Sequence, residues 1–199
     1  MSNKTNDMIR YVAFRLFVEV GYEATNIRDI CEEVDIKPSS LYFYYKSKED
    51  LFFSIYDEVW EDKVNVLNSI VELKHNISPS MKLYFLYKRL MEYYSENIIK
   101  MKFLLRYHLF PPEDVAATIR DKYREWSNKE DRVIEEIIIQ CIERNILPYD
   151  RDLKDYVHEY KTFERGQLIE IIIRNIRKED REIDNSWLRF WNCSMSNSV

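Results

Sequence analysis

Apolar residues Ile9, Val12, Ala13, Leu16, Phe17 and Val20 recur at the three- and four-residue intervals of one helical face, and Gly21 follows where a chain leaving a helix turns left-handed. Thr25 stands where it can cap a second helix, about nine residues long, that buries Ile27, Ile30, Cys31 and Val34 and carries Asp29 near its positive end. Asp35 to Lys37 make a short joint. Pro38 then suits a first helical position, so Pro38 to about Tyr45 reads as a third short helix buried through Leu41 and Tyr45. Ser47, Lys48, Glu49 and Asp50 have the form of a capping box ahead of Leu51, Phe52, Ile55 and Val59, which predicts a long fourth helix. Later breaks at Ser78-Pro79, Pro111-Pro112, Pro148 and the charged stretch Lys178 to Asp184 divide the rest into helices near 79–96, 98–109, 113–146, 150–177 and 181–195. The pattern predicts an all-α protein with a three-helix unit over 1–47 and a larger helical domain over 48–199.

Composition narrows the chemistry. Two glycines in 199 residues leave no material for a G-x-G-x-x-G dinucleotide loop, a Walker-type phosphate cradle or a G-x-S-x-G nucleophile elbow. The dipeptides that close tight hairpins are missing too, which reinforces the helical reading. His75, His108 and His158 are far apart, and Asp155-x-x-His158 is at most half of a bundle metal site. No catalysis, metal or cofactor is expected. Cys31, Cys141 and Cys193 are odd in number and form no C-x-x-C pair, as in a reducing compartment. The N-terminus is polar and no run approaches the ~18 apolar residues of a membrane span, so the expectation is a cytoplasmic protein with no membrane partner.

A net charge of −5 repels nucleic acid at long range, so any contact with DNA has to come from a local surface. Two short helices joined by a tight turn and preceded by a third form a helix-turn-helix, whose second member can enter the major groove. The first 50 residues hold seven Lys and Arg against nine Asp and Glu. Yet from Ile36 to Lys48 there is no acidic residue, while Lys37, Lys46 and Lys48 supply charge and Ser39, Ser40, Tyr42 and Tyr44 supply hydroxyls. Four aromatics in a row, Tyr42 to Tyr45, cannot all face inward on a short helix, so at least two point outward.

At this point the segment Ile9 to Leu51 resembles the N-terminal domain of the TetR (tetracycline-repressor-like) family. The likeness joins Leu16-Phe17, Gly21-Tyr22, Thr25, Ile27 and Asp29-Ile30 to Leu41-Tyr42 and Lys46-Ser47-Lys48-Glu49. It implies a DNA-binding head on a helical domain that dimerises and binds an effector. Carried over, it places Thr25, Tyr42, Tyr44 and Lys48 on DNA phosphates. It gives base readout to Lys37, Ser39 and Ser40, with Phe43 as a candidate for a thymine methyl. Three positions depart from the family's habit: Lys37 stands where a capping Ser is frequent, Ser39 where Gly is common, and Tyr45 where Phe is frequent. The last would leave a phenol in need of a partner.

The C-terminal portion is less explicit. Tyr87, Phe103, Tyr107, Tyr123 and Trp126 are candidates to line a largely apolar effector site, although helical aromatics at this spacing are more often ordinary core. In the resembled family the last two helices form the dimer interface, which makes Phe163, Gly166, Gln167, Ile173, Trp187 and Trp191 interface candidates. The expected function is a homodimeric repressor that binds a near-palindromic operator in double-stranded DNA and is released by a small molecule. The alternative is a sensing or protein-interaction module that has lost DNA binding.

Overall fold

The computed structural model describes residues 2–71 and 77–195, and His75 lies outside them. Nine α-helices are found among the described residues: α1 (Ser2–Glu19), α2 (Ile27–Val34), α3 (Pro38–Tyr44), α4 (Lys48–Val71), α5 (Pro79–Glu96), α6 (Ile98–Leu109), α7 (Ala116–Glu143), α8 (Leu153–Arg174) and α9 (Asp180–Phe190). A 3₁₀ turn over Glu113–Val115 precedes α7 and a π-helical turn over Trp191–Met195 follows α9. No strand occurs among the described residues. The all-α expectation holds, and the helix ends fall close to the punctuation read from the sequence.

Local chemistry explains the ends. Gly21 adopts φ +96°, which an L side chain rarely tolerates, so the backbone calls for glycine, and a Cβ there would come within 2.6 Å of the flexible Arg106 guanidinium, which would have to shift. Asn26 is the N-cap of α2 and makes no side-chain cap bond, so the cap expected of Thr25 is not formed. Instead the Thr25 hydroxyl donates to the Gly21 carbonyl at 2.7 Å, because the chain leaving α1 folds back beneath it. Asp35 ends α2 in the left-handed region, with φ 57°. Pro38 opens α3 behind Lys37, which provides no side-chain cap. At α4, the Asp50 amide donates to the Ser47 hydroxyl at 3.0 Å and the Asp50 carboxylate accepts from the Lys46 amide at 2.9 Å, a capping box displaced by one residue on its return leg.

The chain forms two compact units. The first holds residues 1–61 together with 102–123, so it contains the three-helix head, the first half of α4 and the segment from α6 into α7. Its centre is aromatic: Phe17, Tyr22, Phe52, Phe103 and Tyr107 are all buried, with the Phe52 and Tyr107 ring centroids 4.8 Å apart. Around them Ile9, Val12, Ala13, Ile30, Cys31 and Leu41 close the head.

The second unit holds residues 62–101 and 124–199. It buries a charged cluster as well as apolar side chains. Lys63 of α4 lies 2.7 Å from Glu130 of α7 and 3.5 Å from Glu164 of α8. Lys161 lies 3.5 Å from Glu130, pairs with Asp131 and donates to the Ser127 hydroxyl at 2.8 Å. The Tyr94 hydroxyl donates to Glu164. Burial opposes charge on Glu130, but Lys63 and Lys161 outweigh it and hold the carboxyl below the usual range. Burial likewise opposes charge on Lys63, and Glu130 and Glu164 outweigh it in turn, raising its pKa.

Candidate nucleic-acid interface

The head is built so that α3 buries little more than one residue. Leu41 points into the core and Tyr45 closes the end, while Lys37, Pro38, Ser39 and Ser40 are exposed, Tyr42 is 52% exposed and Phe43 80%. Tyr44 is half-buried, and its ring meets that of Phe43 edge-on at 5.3 Å. The Tyr45 hydroxyl donates to the Asn6 side-chain oxygen at 2.7 Å, which supplies the partner a buried phenol needs and joins the start of α1 to the end of α3. Lys46 is exposed just beyond.

The acidic background is partly tied down. Arg15 of α1 binds Glu19 at 2.7 Å and also pairs with Glu33 of α2. Arg10 pairs with Glu58. Arg28, in the first turn of α2, is exposed beside a helix start that has no side-chain cap.

Thr25 and Lys48 differ in character from the α3 residues. Thr25 is 1% exposed, with its hydroxyl proton committed to Gly21. Lys48 turns its ammonium toward the head, 2.8 Å from the Tyr22 carbonyl and 3.1 Å from that of Thr25. The structure therefore exposes Ser39, Ser40, Tyr42 and Phe43 on α3 with Lys37 at its N-cap and Tyr44 partly exposed, whereas Thr25 is buried and Lys48 is engaged with backbone carbonyls.

The five aromatic effector candidates divide between the two units. Phe103, Tyr107 and Tyr123 belong to the first. Phe103 and Tyr107 touch at 4.9 Å within its core, and the Tyr107 hydroxyl donates to the Phe17 carbonyl. Tyr123 meets His108 at 4.7 Å, and the Tyr56 hydroxyl lies 2.8 Å from the His108 Nε2. Tyr87 and Trp126 belong to the second unit, where Tyr87 packs on Phe163 at 4.9 Å and Trp187 at 5.5 Å. The Lys129 ammonium sits 3.7 Å from the Trp126 ring.

The interface candidates occupy α8, α9 and the turn that follows. Phe163 and Phe190 stack at 4.2 Å beside an open groove of about 620 Å³ that His158, Gln167, Arg189 and Cys193 also line. Trp187 stacks on Trp191 at 5.6 Å. Ile173 is 76% exposed, and a Cβ on Gly166 would meet nothing within 4 Å, so no helix of the same chain approaches that glycine closely. Among the described residues no group of three His, Cys, Asp or Glu is placed to hold a metal, and no helix is long and apolar enough to cross a membrane.

With this geometry in hand, the profile of the family described as bacterial regulatory proteins, tetR family, matches residues 9–55. Over this segment the chain is similar to the TetR family. The biofilm operon icaADBC HTH-type negative transcriptional regulator IcaR of Staphylococcus aureus is 36% identical over 81 residues, which are 41% of this chain and 41% of that protein. The match thus spans less than half the length of these curated relatives. Beyond it, the likeness to solved transcription regulators is one of fold. A TetR transcription regulator from Haloarcula marismortui superposes with a TM-score of 0.74 at 18% identity, covering 97% of this chain and 99% of that one. The transcriptional regulator FadR from Bacillus subtilis, solved in complex with stearoyl-CoA, gives 0.74 at 13% identity over 92% and 96%. The likeness to these solved structures is one of fold, and it runs through nearly the whole chain.

Proposed function

We propose that this protein is a TetR-family transcriptional repressor that binds a near-palindromic DNA operator as a homodimer and is released by a small-molecule effector. The observation that carries the reading is α3, a seven-residue helix that leaves most of its side chains in solvent and whose flanks hold no carboxylate from Ile36 to Lys48. A helix that contributes so little to the core has its surface for another purpose. Lys37, Ser39 and Ser40 reach base edges, Phe43 meets a thymine methyl, and the phenols of Tyr42 and Tyr44 hold backbone phosphates.

The second copy docks on α8 and α9, where Phe163, Trp191 and the open side of Gly166 provide aromatic anchors and room for a close helix approach, with Trp187 buried behind them in its own chain. A two-fold pair of heads then meets half-sites about one helical turn apart. The negative regulation named for IcaR supports repression, and the stearoyl-CoA bound to FadR supports a long-chain, largely apolar effector with a polar head. A coupling of about 1–3 kcal/mol between effector and DNA changes operator affinity some five- to 150-fold.

The test is fluorescence anisotropy on a duplex taken from upstream of the protein's own gene. Saturable binding by a dimer is expected, and stearoyl-CoA is the first effector probe for release. Indifference to every duplex at low salt overturns the reading in favour of a sensing module. Phe163→Asp is expected to yield monomers by sedimentation and to weaken operator binding together with assembly.

A further inference from the structure

The two ends of α3, a helix of seven residues, are held in different ways. Its start is uncapped by any side chain, and Lys37, Pro38, Ser39 and Ser40 are all exposed. Its end is fixed. Leu41 is fully buried, the Tyr45 amide donates to the Leu41 carbonyl at 3.0 Å, and the Tyr45 ring is buried beside it. The chain then leaves in an extended conformation, with φ −132° at Tyr45, and the next amide, that of Lys46, donates to the Asp50 carboxylate in the box that opens α4. To this fixed end the Tyr45 hydroxyl adds its bond to the Asn6 side-chain oxygen, 2.7 Å away and 39 residues earlier in the chain. Asn6 is half-buried near the start of α1, three residues ahead of the fully buried Ile9.

We infer that Tyr45 and Asn6 are positioning residues, whose bond fixes the angle at which α3 presents Ser39, Ser40, Tyr42 and Phe43 to DNA. Burial of the Tyr45 ring anchors the end of the helix but opposes its rotation only weakly, because apolar burial is non-directional. A hydrogen bond is directional. Placed at the far edge of a rigid ring, it adds the angular restraint that burial lacks. It also refers α3 directly to α1, whereas the remaining packing runs from α1 to α2 and from α2 to α3. Hydrogen bonds to base edges tolerate little displacement, while attraction to phosphates is long-ranged and survives a small tilt. Loss of the Tyr45–Asn6 bond therefore falls on discrimination between sequences and spares general affinity for the duplex.

This positioning role rests on the DNA-binding reading above, and two measurements separate the failure of one from that of the other. The first is the ratio of affinities for the operator duplex and for a shuffled duplex of equal length. Tyr45→Phe keeps the ring and removes the bond, and is expected to lower that ratio roughly two- to tenfold. Its affinity for the shuffled duplex, and the slope of log affinity against log salt, are expected to stay as in wild type. Asn6→Ala is expected to lower the ratio as well, and to add nothing further in the Tyr45→Phe background. A change that merely destabilised the head would weaken both duplexes together. An unmoved ratio in Tyr45→Phe, or losses that add in the double variant, therefore overturns the assignment. The second measurement needs no DNA. Amide hydrogen exchange over residues 41–45 is expected to accelerate by about the same two- to tenfold in Tyr45→Phe, while residues 9–17 of α1 keep their protection. Unaltered exchange there defeats the restraint even if the operator is bound. Accelerated exchange in a protein whose wild type binds no duplex upholds the restraint and sinks the DNA-binding reading alone.

Discussion

Tyr42, Phe43, Tyr44 and Tyr45 are consecutive aromatics that meet graded environments, from the 80% exposure of Phe43 to the buried ring of Tyr45 with its hydroxyl on Asn6. Helical geometry alone required that some point outward, and the sequence showed as much. It did not show that the Thr25 hydroxyl and the Lys48 ammonium turn inward, because their carbonyl acceptors exist only once the chain has folded back on itself. For the outward set, the proposed DNA-binding reading makes the Tyr42 hydroxyl a phosphate donor, and Tyr42→Phe is expected to weaken binding about equally across operator variants. Ser40→Ala is expected to change preference at one base position by about 1–3 kcal/mol, read by titrating a panel of single-base variants. The buried cluster in the second unit gives a different residue-scale prediction. Glu130→Gln leaves Lys63 and Lys161 without their shared carboxylate and is expected to cost about 3–5 kcal/mol in urea unfolding, while Lys63→Met combined with Glu130→Leu costs less. Because the Glu130 pKa is depressed on folding, its contribution is present above the ordinary carboxylate range and lost as pH falls through the folded value. The Gln variant is therefore expected to lose part of the acid sensitivity of wild type.

At the scale of elements, caps and breakers were the most legible features. Pro38, Pro79 and the Ser47–Asp50 box each mark a helix start in the structure as they do in the sequence. What could not be read was which distant segments meet. Residues 102–123 join the head in one unit, and Phe103 and Tyr107, candidates for an effector site by composition, are packed against Phe52. Periodicity reports that a face is apolar and is silent about what covers it. The joint between α1 and α6 offers a test of this packing. Gly21→Ala is expected to lower the melting temperature through two separable effects, about 1–2 kcal/mol for a side chain at positive φ and a further cost for displacing Arg106. Arg106→Ala added to Gly21→Ala should relieve only the second, so the pair is expected to be non-additive in a double-mutant cycle.

For the molecule as a whole, the likenesses to known regulators have different reach. The head carries a dense local motif that matches over residues 9–55, whereas the remainder is similar to known regulators mainly in its backbone. That asymmetry has a physical basis, since a DNA-reading surface constrains residue types and a helical core constrains little beyond size and hydropathy. The distribution of sulfur makes the assembly measurable without altering the chain. Cys31 and Cys141 are buried, and burial raises both thiols, that of Cys141 to about 12, so neither offers thiolate at neutral pH. Cys193 is exposed in the groove beside the stacked Phe163 and Phe190. A maleimide dye is thus expected to modify one sulfur quickly in native protein and the other two only after denaturant is added. If α8 and α9 meet their symmetry mate there, dilution should quicken that first modification, and the untouched wild-type chain becomes its own gauge of self-association.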